Sequence, residues 1–255
     1  MLVSSAALAQ NQIKMFTNSQ TIDTKRYDEI KGNPMYFKDW QKGIIVDNRD
    51  SVYNDISLNY NGFEEEFEVR QDNNSFIALD NKYYQKIIID SDDGLDGKII
   101  FEKSPVSKLK GKFLQVLHKG EKLSLYKYFE VRKGEVTVQD VGKTRVFENF
   151  QRVPAYYILK DGKLSVVRMK KKILMAELGS KKALEGHMKK NKLSLNKDLD
   201  IQKLFKFYEG LEWGNQGISV SVAWTKDWGI GLGKTLSVPE QSEGQTDELT
   251  EVSYQ

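Results

Sequence analysis

Residues 90–97, DSDDGLDG, concentrate carboxylates and glycines in one short stretch. Calcium requires several hard oxygen ligands on a tightly turned loop, and this stretch supplies both. The EF-hand order is not met, because Gly94 occupies a ligand position and Phe101 occupies the place of the final Glu. An acidic turn between two strands is therefore the favoured interpretation, and calcium is the alternative. Its candidate ligands are Asp90, Asp92, Asp93 and Asp96.

Residues 32–43, GNPMYFKDWQKG, place aromatic rings beside a carboxylate. This combination suits a sugar, because a ring packs against the sugar face while the carboxylate accepts hydrogen bonds from hydroxyl groups. The alternative, which is commoner, is a plug of buried rings at one end of a β domain, with Trp40 in the core and Asp39 at a turn. The binding candidates in this stretch are Tyr36, Asp39 and Trp40.

Residues 160–192 carry eleven Lys and Arg against three acidic residues, a local excess of +8. Within this run, Lys170, Lys171 and Lys172 lead into a short amphipathic segment. Such cations can dock on anionic lipid headgroups, on an acidic polysaccharide or on the chain's own acidic tail. A solubilising face around packed helices is the favoured alternative. Nucleic acid is not predicted as a partner, since the formal net charge is only +3 and no recognised motif accompanies it.

Other apparent motifs do not meet the requirements of the chemistry they suggest. GIGLGKT, residues 229–235, looks like a phosphate-binding loop, but Trp228 occupies the place of its first glycine. His118 and His187 are not spaced with carboxylates in the pattern that a zinc site without cysteine requires. The triplet Glu64–Glu66 is expected on a solvent-facing hairpin arm. No cofactor is therefore predicted.

The elements that position these residues are mainly β up to about residue 168. Apolar runs alternate with turn residues about every 8 to 12 residues, which is typical of an antiparallel β-sandwich or open barrel. Strands do not alternate with helices in this region, so a Rossmann-type enzyme is not predicted. Tight turns are expected at Asn61-Gly62, Lys119–Glu121, Arg132–Gly134 and Asp161-Gly162.

Three short helices are predicted after the β region, because apolar residues recur there at helical spacing. The first ends at Gly179, the second covers 181–190, and the third follows Asn196 and ends at Gly210. The predicted fold class is mainly β (α+β), with five parts along the chain. These parts are a truncated signal-peptide remnant at 1–9, an antiparallel β domain at 10–168, short amphipathic helices at 169–210, a terminal hairpin at 211–238, and an acidic disordered tail at 239–255.

The first residues, MLVSSAALAQNQ, resemble the end of an export signal. Ala7-Leu8-Ala9 matches the small-x-small pattern that signal peptidase cleaves, so cleavage after Ala9 is expected. The basic region of a signal peptide is missing from this stretch, and an ordinary N-terminus is the alternative. The chain has no cysteine, which excludes disulfides and thiolate metal sites.

Three stretches, GNPMYFKDWQKG, VYNDISLNYNGFEEEFEV and LDIQKLFKFYE, together resemble an uncharacterised family of exported proteins from Gram-negative bacteria. The resemblance covers about residues 20–210 and implies a β-rich body followed by a short helical end. It also implies export, and it attaches no activity and no catalytic residue. The residues after Gly210 depart from the family's pattern.

These observations favour an exported, non-catalytic protein of the cell envelope with a binding or structural role. Its partner is expected to be an envelope protein or a polysaccharide, and unpaired sheet edges can accept or donate a strand. The alternative is a polysaccharide-binding or glycan-hydrolysing module that uses aromatic and carboxylate residues at one end of the sheet. A third interpretation places the terminal hairpin, through Trp224 and Trp228, against a membrane surface. A transmembrane helix is not predicted.

Overall fold

A computed structural model describes residues 20–214 of the chain, except Val106, Lys122 and Ser180. Within those residues the protein is mainly β, with a large antiparallel sheet followed by three α-helices. The predicted fold class is thus confirmed. The signal-peptide remnant at 1–9, the acidic tail at 239–255 and nearly all of the terminal hairpin at 211–238 lie outside the described residues.

The strands and helices are numbered here in chain order. The strands are β1 (Gln20–Thr21), β2 (Gln41–Asp47), β3 (Val52–Asn61), β4 (Glu66–Arg70), β5 (Phe76–Ala78), β6 (Tyr84–Asp90), β7 (Lys98–Lys103), β8 (Phe113–Lys119), β9 (Leu123–Tyr128), β10 (Val131–Asp140), β11 (Lys143–Arg152), β12 (Ala155–Lys160) and β13 (Lys163–Val167). The helices are α1 (Lys171–Leu178), α2 (Lys181–Lys190) and α3 (Asp198–Gly214).

Eleven of these strands form one continuous sheet, in the order β1-β5-β4-β3-β2-β6-β7-β8-β9-β12-β13. All of its pairings are antiparallel, and β10 and β11 form a separate two-stranded hairpin. The sheet remains open, since β1 and β13 each have one neighbouring strand within the described part of the chain.

The first half of the sheet folds over its own core. Strands β4 and β7 are four strand spacings apart, about 19 Å in a flat sheet. The ring of Phe67 on β4 nevertheless lies 5.2 Å from that of Phe101 on β7 and 5.3 Å from that of Phe113 on β8. Strong twist and curl of the sheet must bring these strands face to face.

The described residues contain three buried clusters, of which two are large. The aromatic core lies inside the curled half of the sheet, and Phe129, Val131 and Phe150 at the base of the β10–β11 hairpin cover one side of it. The helical core lies between the second half of the sheet and the three helices. Its fully buried members include Leu125, Ile158, Leu174, Leu184, Ile201, Leu204 and Phe205. Each helix is therefore stabilised by burying its apolar face in this shared cluster, because short helices are marginal alone.

Several predicted turns have different structures from those expected. Arg132–Gly134 does not form a turn but lies inside β10, where Lys133 pairs with Phe150. The turn after Asn61 has its positive φ at Glu65. Gly62 is required there for another reason, because a Cβ atom would lie 2.6 Å from the ring of Phe129. The turns at Lys119–Glu121 and Asp161-Gly162 join consecutive strands as predicted.

The helices follow their predicted bounds with one exception. Gly179 ends α1 in the left-handed conformation, with φ of 74°, and α2 spans Lys181–Lys190. The third helix does not end at Gly210 but continues to Gly214, so the predicted hairpin does not begin at 211. Gly210 is tolerated in the helix interior because its neighbours are packed on the sheet. None of the described helices is long and apolar enough to cross a membrane.

Candidate functional site

An open cleft of about 600 Å³ lies between residues 36–41 and the loop 90–97. It brings together two of the stretches that the sequence analysis singled out separately. Four carboxylates line it, namely those of Asp39, Asp90, Asp92 and Asp93. The other lining residues include Tyr36, Phe37, Lys38, Gln41 and Ser91. We call this feature the acidic cleft.

Sheet topology explains why these two stretches meet. Strand β2 pairs antiparallel with β6, and Gly43 lies opposite Ile89. The residues before β2 therefore lie beside the end of β6, where Asp90 begins the acidic loop. Gly43 permits this close pairing, because a Cβ atom would lie 2.6 Å from the carbonyl oxygen of Ile88.

The segment 36–41 is held to the sheet by buried hydrogen bonds. The backbone N–H of Tyr36 donates to the carbonyl of Tyr60 at 2.8 Å. The Asn59 side chain accepts from the N–H of Phe37 at 3.1 Å and donates to the carbonyl of Phe37 at 3.0 Å. Asn59 is buried, so these bonds satisfy a polar group that would otherwise be costly. Phe37, rather than Trp40, contributes to the aromatic core.

The acidic loop is held by turns and by α3. The N–H of Ser91 donates to the carbonyl of Gly97 at 2.9 Å, and the N–H of Gly94 donates to Ser91 at 3.1 Å. A Cβ atom at Gly94 would lie 1.9 Å from the carbonyl oxygen of Lys98, so only glycine fits. The N–H of Leu95 donates to Oε1 of Gln202 on α3 at 3.0 Å, which fixes the loop on the helix.

A buried polar network lies behind the cleft wall. The Tyr36 hydroxyl lies 3.0 Å from Oε1 of Gln115 and 3.2 Å from Oδ2 of Asp198. Lys127 Nζ donates to the same Asp198 oxygen at 2.6 Å. Burial, and then the negative charge of Asp198, hold the pKa of Tyr36 well above its ordinary value, so this hydroxyl stays protonated. The network fixes the position of the Tyr36 ring at the cleft.

The remaining candidates from residues 32–43 and 90–97 lie at the edge of the cleft or outside it. Trp40 does not line the cleft; its half-buried ring packs against Phe76 at 5.1 Å. Asp96 is exposed, has a φ of 56° and does not line the cleft. Among the described residues, no three His, Asp or Glu side chains are grouped closely enough to hold a metal ion. The geometry of the loop therefore gives calcium no support.

The lysine candidates lie on the helical side of the molecule. Lys170 occupies the N-cap of α1, and Lys171 and Lys172 follow in its first turn. Of these three, Lys171 lines a groove of about 820 Å³ along α2. The other lysines of this groove are Lys181, Lys182, Lys189 and Lys192, which belong to the basic run 160–192 but were not singled out within it. The signal lies in the three on α2, because at 100° per residue Lys181, Lys182 and Lys189 fall within about 100° of one helical face.

The two histidines have structural partners. Nε2 of His118 lies 3.4 Å from a carboxylate oxygen of Glu209, and burial lowers the pKa of His118. The ring of His187 stacks on Phe207 with centroids 3.8 Å apart.

The triplet Glu64–Glu66 departs from the expected solvent-facing arm, because Glu65 and Glu66 are half-buried. Glu65 accepts hydrogen bonds from Tyr128 and pairs with Lys112. Burial, and then the nearby charges of Glu68 and Glu64, raise the pKa of Glu66 to about 7. None of the three carboxylates lines the acidic cleft.

Comparison of the chain with protein-family models, with curated proteins and with solved structures finds no match. The resemblance to an exported family therefore stays a prediction, and function has to be argued from the geometry.

Proposed function

We propose that the protein is an exported, non-catalytic binding protein of the cell envelope, and that the acidic cleft binds a neutral polysaccharide. One observation carries the proposal. Residues 36–41 and 90–97, far apart in the chain, form one open cleft with an aromatic ring, carboxylates, an amide and a hydroxyl. Open clefts with a few convergent polar groups are the usual form of a ligand site.

The chemistry of the lining favours a sugar. Carboxylate oxygens accept hydrogen bonds from sugar hydroxyls, while Gln41 and Ser91 can donate and accept. The immobilised ring of Tyr36 offers an apolar edge for the carbon skeleton. Four carboxylates against one lysine, Lys38, disfavour an anionic ligand. A neutral, polyhydroxylated chain fits these groups best.

A binding role is favoured over hydrolysis. Glycoside hydrolysis uses a carboxylic acid of raised pKa on one side of the scissile bond and a second carboxylate on the other. The carboxylate with a pKa of about 7 is Glu66, which does not line the cleft. Hydrolysis of the bound polysaccharide is the alternative function, and the binding experiment below detects it.

The proposed export rests on Ala7-Leu8-Ala9. N-terminal sequencing of the protein isolated from its native cells tests this point. We expect the mature chain to begin at Gln10. A chain that begins at Met1 and is recovered from the cytosol would contradict export.

Binding is tested with the neutral polysaccharides of the native envelope, separated from charged ones by anion exchange. The variant Asp39→Asn/Asp92→Asn removes two cleft charges whose side chains form no hydrogen bond or ion pair within the described residues, so folding should be retained. We expect its affinity to fall at least about tenfold, since two charge-assisted hydrogen bonds are weakened.

The matched control is Asp28→Asn/Asp72→Asn, which changes two exposed aspartates outside the cleft. This control should bind like the unmodified protein. Equal affinity of the cleft variant and the control would refute the cleft as the binding site. Release of reducing ends during the same incubation would favour hydrolysis instead.

A further inference from the structure

Two adjoining cavities run along α2 and are lined by lysines. The first, of about 820 Å³, contains five lysines and one carboxylate, Glu185. The second, of about 530 Å³, contains Lys203 and Lys206 from α3 together with His187 and Asn191. The two cavities share Leu193, but His187 lies on the side of α2 opposite to Lys181 and Lys189, so they are separate surfaces. We call the first cavity, with its five lysines, the basic groove.

Charge in the groove is largely uncompensated. Its one ion pair within the described residues joins Lys171 to Glu185 at 3.6 Å, and both side chains are considerably exposed. Lys181, Lys182 and Lys189 are exposed and take part in none of the ion pairs of the described chain. These three lysines lie on one face of α2, so their like charges repel one another through solvent and slightly destabilise the free protein.

Lys181 and Lys182 occupy the start of α2, where acidic residues are normally favoured. A helix N-terminus favours acidic residues, because its exposed N–H groups carry partial positive charge. The third helix follows that rule with Asp198 and Asp200 in its first turn. In contrast, α2 begins with Lys181 and Lys182 and has no acidic residue in its first turn. A bound anion would relieve both the lysine repulsion and the unfavourable charge at this helix end.

The length of the groove indicates an extended ligand. Lys181 and Lys189 lie eight residues apart on α2, which is about 12 Å along the helix axis. A single small anion cannot reach both, whereas a chain of repeating anionic groups can. Lysine also suits this role, since its compact ammonium group pairs with carboxylate, sulfate or phosphate without a fixed geometry.

The shape and polarity of the surface favour a polymer over a membrane. The groove is concave, and its apolar residues Met188 and Leu193 are half-buried at its base. Binding to a bilayer surface requires apolar side chains that project from the cationic face. Among the helix residues up to Leu211, apart from Ser180 between α1 and α2, Ile173 is the one large apolar residue that is markedly exposed.

We infer that the basic groove is a second binding site, independent of the acidic cleft, and that it binds an anionic polysaccharide. The site goes beyond the proposed neutral-glycan binding, because it uses different residues and the opposite charge. A protein with both sites links a neutral and an acidic polymer.

The experiment uses the full chain and polygalacturonate, a polymer of sugar carboxylates. The variant Lys181→Glu/Lys182→Glu/Lys189→Glu should bind at least about tenfold more weakly, since three attractive charges become repulsive. Binding by the unmodified protein should weaken steeply as salt rises from about 50 to 300 mM, because counterions screen exposed charges. The variant Asp39→Asn/Asp92→Asn should bind polygalacturonate normally, which separates this site from the cleft.

Two controls keep the result interpretable. The reversal Lys110→Glu/Lys143→Glu/Lys163→Glu changes three exposed lysines outside the groove and should reduce affinity less than about threefold. Thermal unfolding of the groove variant shows whether it remains folded. We expect a small net change, because Glu is favoured at the helix start but each new Glu also lies three or four residues from Glu185. Cooperative unfolding at a similar temperature would show that a loss of binding is not caused by unfolding.

Three outcomes would overturn the inference. The first is that the unmodified protein does not bind polygalacturonate at low salt. The second is equal loss of affinity in the groove variant and the lysine control. The third is lysine-dependent binding to vesicles of phosphatidylglycerol and phosphatidylcholine without binding to polygalacturonate, which would assign the surface to a membrane.

Discussion

The acidic cleft and the basic groove carry opposite charge and are built in opposite ways. The cleft combines two loops that the pairing of β2 with β6 brings together from distant parts of the chain. The groove is formed mostly by α2 and the short segment that follows it. Long-range sheet pairing thus forms one site, and local helical spacing forms the other.

The two regions also differ in how their charged groups are supported. Behind the cleft, Tyr36, Lys127 and Asp198 form a buried, mutually bonded network that fixes one wall. The groove lysines are exposed, and three of the five stand on α2, whose opposite side packs into the helical core. We therefore expect the cleft to be rigid and selective, and the groove to bind mainly through charge.

The largest effect is expected from Phe67→Ala in the aromatic core. Phe67 is fully buried and its ring contacts Tyr60, Phe101 and Phe113. Its truncation should lower the free energy of unfolding by about 3–5 kcal/mol. Urea unfolding followed by circular dichroism measures this free energy of unfolding. Leu184→Ala makes the corresponding truncation in the helical core, so the two cores can be compared. A loss below about 1 kcal/mol would contradict the packing of β4 against β7 and β8.

The next largest effect is expected from Lys127→Ala behind the cleft. The pair Lys127–Asp198 is mostly buried, so removal of the lysine leaves a carboxylate without its partner. We expect a loss of about 2–4 kcal/mol in stability. Weaker neutral-glycan binding should accompany it, because Tyr36 loses its fixed position, while polygalacturonate binding should be unchanged.

The control for that variant is Lys42→Ala, which breaks an exposed pair with Asp55. Surface pairs contribute about 0–1 kcal/mol, so the control should be nearly neutral. If both variants lose the same free energy of unfolding, the buried pair behind the cleft stabilises the fold no more than an exposed ion pair does.

A smaller, pH-dependent effect is expected from Glu66→Gln. Burial raises the pKa of Glu66 in the folded protein to about 7, so the folded state holds the proton more tightly than the unfolded chain. The native residue therefore destabilises the fold progressively as pH rises from about 4.5 through 7. Because Glu66 is only half-buried, solvent screening reduces the gain from Gln to about 1 kcal/mol at pH 8. Thermal unfolding at pH 4 and pH 8 tests this, and equal gains at both would contradict it.

His118 on the helical side has the opposite dependence. Burial lowers its pKa in the folded protein, so its contribution to stability falls as pH drops below its ordinary value of about 6.5. Glu66→Gln should leave this acid-side loss unchanged.

The smallest effect is expected from a pair of glycine substitutions on the helical side. Gly179→Ala places a side chain at φ of 74° and should cost about 1 kcal/mol. Gly210→Ala lies inside α3, where an added Cβ meets nothing within 4 Å, and should stabilise by about 0.5–1 kcal/mol. Thermal unfolding should thus show shifts of opposite sign. A destabilising Gly210→Ala would contradict the continuation of α3 to Gly214.

Local sequence patterns predicted many of the helices and turns but few of the long-range strand pairings. The bounds of α2 and the turns at Lys119–Glu121 and Asp161-Gly162 follow from helical periodicity and turn chemistry, which involve near neighbours. The long hairpin of β10 and β11 was missed, because Arg132–Gly134 looks like a turn and becomes a strand only when paired with β11. The single curled sheet also depends on pairings between distant strands.

The candidate sites also combine features that local sequence predicts with features that depend on contacts between distant strands. The acidic loop and the aromatic stretch were each identified from residue type, but their meeting requires the register of β2 against β6. Trp40 was the most conspicuous residue of its stretch, yet its backbone position places it against Phe76 outside the cleft. The three groove lysines on α2 lie on one helical face, a pattern that the spacing of charged residues predicts when helical periodicity is applied to them.

The most direct test of two separate sites compares both ligands on the same set of variants. Isothermal titration with neutral envelope polysaccharide and with polygalacturonate is carried out on the unmodified protein, Asp39→Asn/Asp92→Asn and Lys181→Glu/Lys182→Glu/Lys189→Glu. We expect the aspartate variant to lose the neutral ligand alone and the lysine variant to lose the acidic ligand alone. If either variant loses both ligands, or neither, the assignment of one ligand to each site is wrong.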